Sequence, residues 1–392
     1  MFFLDSSDPR EITDIFAWGV VAGVTTNPLI LGILLALPVS AFALPLPAVA
    51  MKSAAYIADM TLPLALLCTA AFAAPEALAP VNLVGRAVPE IDKLPPGQYR
   101  ELVQYGHELT TRTFAHIGPE VQDVRRRLAG NNLACASCHQ QNATKPFAMP
   151  WSGVSATFPQ YRGCEDDIST VEERVNGCME RSMSGKPLAL DSREMKAFVT
   201  YISFLSQGIP VGATVQGAGM VQSKMPNRRA DTVAGGKVYE AKCAVCHGAD
   251  GQGLRAGKVG DAQGYTFPPL WGNDTFNNGA GMNRLIMATR FIKHNMPLGA
   301  SHDAPQLSDD EAYDVAAFML SKPRPTKANL EVDFPARWNK PVDSAFPPYL
   351  LGATPDQHRF GPFPPLVEKQ KQMVEQLKAG AAAERAKAAP AR

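Results

Sequence analysis

Cys135-Ala136-Ser137-Cys138-His139 and Cys243-Ala244-Val245-Cys246-His247 decide how the rest of this 392-residue chain is read. Cys-x-x-Cys-His is the spacing of c-type haem attachment. Two thiols add across the porphyrin vinyl groups, and the adjoining imidazole is thereby set under the iron. Zinc sites and redox dithiols also use Cys-x-x-Cys. Two copies in one chain, each followed at once by His, point instead to two covalently bound haem c groups with His139 and His247 as iron ligands.

Around each copy the sequence repeats one plan: a helix leading in, a long loop, and a closing amphipathic helix. The first closing helix is predicted to start at Asp191, with Glu194 completing a capping box. Met195, Phe198, Val199, Ile202 and Leu205 then recur at helical spacing, and Gly208 and Pro210 end the run. In the second unit Ser308 and Glu311 make the box, Ala312, Val315, Ala316 and Met319 the stripe, and Pro323 the stop. Both stripes read as core. The expected fold class is mostly α, with two tandem cytochrome c-type haem domains and a long irregular C-terminal strap. The domains are placed at residues 80–210 and 235–322, joined by a linker over 211–234. A Pro- and aromatic-rich strap over 323–366 and an Ala/Lys-rich tail over 367–392 follow.

Lys and Arg together number 38 against 37 Asp and Glu, so no nucleic-acid partner is expected. Only 8% of residues are aromatic and 33 are proline, as suits small domains whose porphyrin supplies much of the apolar core. Of the seven cysteines, Cys164 and Cys178 are left unassigned by the attachment sequences and by Cys68 in an apolar leader. They could pair as a disulfide, or one could reach an iron.

The sixth iron ligand separates an electron carrier from an enzyme. Met296, in Asn295-Met296-Pro297, follows His247 by 49 residues and is the expected partner of the second haem, with Lys293 and His294 as rivals. For the first haem Met149, Cys164, Cys178, Met179, Met183 and Met195 are all candidates, and Met183 is well spaced for a plain carrier. Cys178, however, lies among Arg162, Arg174, Arg181 and Lys186. On a helix, Arg174 and Cys178 would share a face. Cationic neighbours favour a thiolate and make a seat for a small dianion. Asp166, Asp167, Glu172 and Glu173 could equally neutralise those charges in a solvated loop.

Val171–Lys186 resembles the corresponding stretch of the di-haem thiosulfate dehydrogenase family, which is related to the cytochrome subunits of the sulfur-oxidising complex. Tyr105–Thr110, Gly130–Cys135 and Asp356–Phe363 agree with it, so the resemblance spans about residues 95–365. It implies that Cys178 is both axial ligand and nucleophile, with Arg174 and Arg162 binding substrate. It also implies oxidation of thiosulfate to tetrathionate, in either direction, with electrons passed through the second haem to a soluble or membrane-attached cytochrome. Some members carry Lys directly before the distal Met and switch ligand on reduction. Asn295 stands there in this chain, so His247/Met296 ligation without a switch is expected. A di-haem carrier using Met183, a di-haem peroxidase and a subunit acting on a sulfur-carrier protein are the alternatives.

Residues 51–73 have signal-peptide form, with a basic start, an apolar centre and small residues before Pro75, and imply export to the periplasm. Leu67 before Cys68 argues against a lipid anchor. Pro38, Pro45 and Pro47 interrupt the uncharged run from Thr25 to Met51 as a spanning helix. Phe2–Asp5 and Trp18–Pro28 resemble the opening strand, helix and strand of the small transaldolase family, whose active site uses positions matching Asp5, Thr26 and Asn27. That resemblance ends near residue 31, no lysine precedes Lys52, and one such fragment cannot close a barrel. Residues 1–50 therefore read as a fusion or an early-set start, with the functional chain beginning at Met51. N-terminal sequencing of the exported protein is expected to find none of these residues; a mature chain retaining Phe2 would overturn this.

Overall fold

The periodicities above become helices because their apolar stripes have a partner to cover them. In the computed structural model the first half holds α1 (Gln98–Thr111), α2 (Val171–Arg181) and α3 (Arg193–Leu205). The second holds α4 (Thr232–Lys242), α5 (Leu285–Asn295) and α6 (Asp309–Ser321), and α7 (Pro364–Ala388) closes the chain. The structure describes residues 78–388. The transaldolase-like fragment, the uncharged run and the signal-peptide sequence lie outside the described residues. No helix among the described residues is long and apolar enough to cross a membrane.

Helix α3 buries Met195, Phe198, Ile202 and Leu205 against α1, as its stripe predicts. Its start lies one residue later than expected. Ser192 is the cap, its Oγ accepting from Met195 N at 3.1 Å. Glu194 is taken instead by the Tyr105 hydroxyl at 2.8 Å, a tertiary bond that local sequence does not announce. At α6 the expected box forms. Ser308 Oγ accepts from Glu311 N at 3.1 Å, and Glu311 accepts from Ser308 N at 2.9 Å.

Both halves use one device where their first and last helices cross. A side chain at Gly106 of α1 would begin 2.2 Å from the Ala197 carbonyl oxygen of α3. At Gly235 of α4 it would begin 1.9 Å from the Asp314 carbonyl oxygen of α6. Neither position has room for a Cβ, so the helices meet backbone to backbone.

The described residues from Ala79 onward form one compact unit, and the halves dock through buried polar bonds. Asp274 accepts from Asn132 N (2.8 Å), Asn132 Nδ2 (3.1 Å) and the Tyr265 hydroxyl (2.6 Å). Arg255 bridges Glu120 at 2.9 Å and Asp274 at 3.3 Å. Asn277 Nδ2 donates to Glu180 O at 2.7 Å, tying the second half to the C-terminal end of α2. Strands are short. Gln160–Arg162 pairs antiparallel with Asp167–Ser169, setting Tyr161 opposite Ile168. After α6 the chain passes through two 3-10 turns and a short helix, Pro355–Phe360, to α7, which buries Leu366 and Val374 and leaves most of its remaining turns exposed.

Gly106→Ala is expected to cost about 3 kcal/mol, the upper end of overpacking, because the obstruction is a carbonyl and not a movable side chain. Chemical denaturation followed by circular dichroism checks it, and a loss under 0.5 kcal/mol would contradict the close crossing.

Candidate active site

An imidazole serves a metal through one nitrogen only if the other is occupied, which fixes tautomer and ring orientation. His139 Nδ1 lies 2.5 Å from the Met149 carbonyl oxygen, and His247 Nδ1 lies 2.7 Å from that of Pro268. In each case Nδ1–H donates, and Nε2 is the nitrogen left for an iron. Burial pulls the His139 imidazole down to about 4, so it stays neutral as a ligand must. Trp151 packs 5.4 Å from the His139 ring and joins it to Phe198 and Tyr201. Both attachment sequences thus fit haem on the side of their histidines.

Across the first site stands α2. It begins at Thr170, whose Oγ1 accepts from Glu173 N at 3.3 Å while Glu173 Oε2 accepts from Thr170 N at 2.7 Å. One of the acidic neighbours is thereby used as a cap. Asp166 is engaged by the Tyr161 hydroxyl, and Asp167 by Ile168 N. Arg174 and Cys178, one turn apart, meet as the spacing predicts, with Nη1 donating to Sγ at 2.7 Å. The Arg174 charge reaches His139, so the pair lies near the attachment sequence. Arg162 joins it from the hairpin: burial lowers its guanidinium from the ordinary value, the neighbouring Arg174 adds to that, and Glu165 and Cys178 oppose it.

The remaining candidates go elsewhere. Met149 lends its carbonyl to His139 and so belongs to the histidine side. Met179, Met183 and Met195 are buried in the core beside Leu109 and Ile117. Cys164 and Cys178 are both free thiols, with no disulfide between them. Burial pushes the Cys164 thiol up to about 12. Arg181 turns away to Asp333, giving two bonds at 2.9 and 2.7 Å, and Lys186 is exposed. Glu165 was not singled out by the sequence, yet it binds Arg162 Nε at 3.0 Å.

On the second site Met296 follows the last turn of α5, its N–H bonded to Ile292 O at 2.9 Å. Its rivals are engaged: Lys293 pairs with Asp309, and His294 Nε2 meets Ser223 Oγ at 2.8 Å. Asn295 Nδ2 donates to Phe147 O at 3.3 Å, two residues before the carbonyl that holds His139. The Phe147 and His302 rings lie 4.6 Å apart, and Lys145 Nζ donates to Ala300 O at 3.1 Å. The two candidate ligand sets are thus joined by two hydrogen bonds and a short piece of backbone.

Known proteins match both halves of the chain. The thiosulfate dehydrogenase of Allochromatium vinosum is 43% identical over 247 residues, 62% of this chain and 85% of that protein. The chain belongs to the thiosulfate dehydrogenase family. A family member from Psychrobacter arcticus is 38% identical over 251 residues, covering 63% of this chain and 71% of the relative. The SoxA/TsdA cytochrome c domain matches residues 125–211, and the cytochrome c family matches 232–323. These two tandem cytochrome c domains carry two c-type haems. Among solved structures, the "as isolated" form of the thiosulfate dehydrogenase (TsdBA) from Marichromatium purpuratum aligns with a TM-score of 0.56 at 34% identity. The alignment covers 62% of this chain and 51% of that one, so this chain spans about half the longer protein.

Lys293→Ala and His294→Ala are expected to leave the visible spectrum of the second haem unchanged, whereas Met296→Ala abolishes its methionine–iron charge-transfer band. Spectra of the oxidised proteins check this, and an unaltered band in the Met296 variant would remove Met296 as ligand.

Proposed function

We propose that this protein is a periplasmic di-haem cytochrome that oxidises thiosulfate to tetrathionate and passes the electrons to a soluble or membrane-attached cytochrome. The observation that carries this reading is the 2.7 Å contact from Arg174 to Cys178, with the Arg174 charge near enough to act on His139. A plain electron carrier has no use for a thiol with a guanidinium set upon it. A nucleophile that works as an anion does.

In this reading Cys178 would hold the iron of the first haem and Met296 that of the second. Once bound, the haems would supply paired one-electron acceptors, and thiolate and thioether ligation would order their potentials toward exit at the second. Arg174 and Arg162 hold a thiosulfate dianion through fixed N–H donors, which suit sulfo oxygens as they suit phosphate. The Cys178 sulfur forms a bond to the sulfane sulfur of thiosulfate, and two electrons leave the pair. The sulfane sulfur of a second thiosulfate then attacks the sulfane sulfur of the adduct. Tetrathionate departs and Cys178 is returned as thiolate, as in thiol–disulfide exchange. With Cys178 as thiolate, no proton need move in either step.

Purified exported protein is expected to reduce ferricyanide with thiosulfate, and Cys178→Ala to lose at least about a hundredfold in rate, as removal of a nucleophile does. Arg174→Ala should lose most of the activity and Arg174→Lys retain part of it, since the ammonium keeps the charge but not the fork. An inactive wild type, or a fully active Cys178→Ala, would overturn the assignment.

A further inference from the structure

We propose that Glu165 is a positioning residue, holding Arg162 by its Nε edge so that the terminal amino groups of that arginine remain available to substrate beside Cys178. The inference rests on the reading that Arg162 binds thiosulfate. Glu165 Oε2 accepts from Arg162 Nε at 3.0 Å, while Oε1 lies 3.3 Å from Arg181 Nη1. Arg181 is in turn fixed by two bonds to Asp333, at 2.9 and 2.7 Å. Asp333, only 2% exposed, also receives Lys327 at 3.3 Å. One carboxylate thus spans two guanidiniums, and its far end is anchored in the segment after α6, more than 150 residues away in sequence.

The same segment buttresses the hairpin that carries Arg162. Phe334 N donates to Cys164 O at 2.9 Å, and Asn339 Nδ2 donates to the Tyr161 hydroxyl at 2.9 Å. Gly163 allows that approach, because a Cβ there would lie 2.3 Å from Asn339 Nδ2. Arg162 therefore comes from a three-residue strand too short to hold a long side chain alone, and is fixed at both backbone and head group.

The chemistry explains the choice of Nε. A guanidinium has five N–H donors in a planar fork, and a dianion is best met by the paired edge of its terminal amino groups. Engaging Nε leaves those terminal groups and orients the plane. Glu165 also offsets the repulsion between Arg162 and Arg174 when no substrate is present. A negative charge at this point weakens attraction for an anionic substrate, so its benefit to binding lies in the geometry it imposes.

The experiment compares steady-state kinetics of Glu165→Ala, Glu165→Gln and Arg162→Ala in the holoprotein, with thermal unfolding as the check on folding. Glu165→Ala is expected to raise KM for thiosulfate roughly tenfold or more with a smaller change in kcat. Glu165→Gln, which keeps an accepting oxygen, is expected to recover much of that loss. An unchanged or lowered KM in Glu165→Ala, or Gln no better than Ala, would overturn the positioning role. Arg162→Ala separates the two levels. If it is impaired while Glu165→Ala is not, only the positioning role fails; if Arg162→Ala is unimpaired, the substrate role of Arg162 fails first. Should Glu165→Ala not fold, Asp333→Asn tests the same relay from its buried end, with a raised KM expected and an unchanged one contradicting it.

Discussion

A neutral, oriented imidazole at the end of each attachment sequence is the requirement on which the rest of the structure depends. One ring nitrogen must be spent on a protein carbonyl, so a loop has to return past the histidine at hydrogen-bonding distance. Residues 145–151 do this in the first half and 265–271 in the second, ending on Met149 O and Pro268 O. The first of these loops is also one of the places where the halves touch, through Phe147 and Lys145. Orienting one ligand and joining two domains are therefore not separate tasks. The backbone that holds His139 also receives Asn295, which adjoins Met296.

The histidine sides are alike and the opposite sides are not. The second half presents the end of α5, whose neighbouring side chains are each tied to something else, leaving a thioether. The first presents the face of α2, where a cap at Thr170 starts the helix so that Arg174 and Cys178 fall one turn apart. The C-terminal end of α2 is held by the other domain through Asn277, and its last arginine by the segment after α6. A helix fixed at start, end and flank has little freedom left to lose, which is how a candidate site retains orientation.

What could be read in advance was what short-range covalent and helical geometry dictates. Five consecutive residues fix the haem linkage, and a four-residue separation places Arg174 on Cys178. The Ser308 box was legible for the same reason. Arg181 was not: its composition placed it with the other basic residues, but its partner Asp333 lies 152 positions away. Glu165 escaped because strands of three residues carry too little alternation to reveal a hairpin. Met149 escaped in a different way. It was weighed as a thioether, and what it contributes to the His139 site is a main-chain oxygen, which any residue possesses. The shift of the α3 cap from Asp191 to Ser192 belongs with these, since Tyr105 claims Glu194 from another helix.

Charge then decides which state of the site is best matched. With Cys178 as thiolate, the formal charges of Arg162, Arg174, Glu165 and Cys178 cancel, and those of Arg181 and Asp333 cancel beside them. In the proposed reading, binding a thiosulfate dianion would leave this cluster two charges negative, a cost that grows where water is excluded. Forming the sulfur–sulfur bond with departure of two electrons removes just those two charges and returns the cluster to balance. The fixed side chains are thus complementary to the oxidised adduct and not to bound reactant, which is the condition under which binding energy lowers a barrier instead of only filling a site.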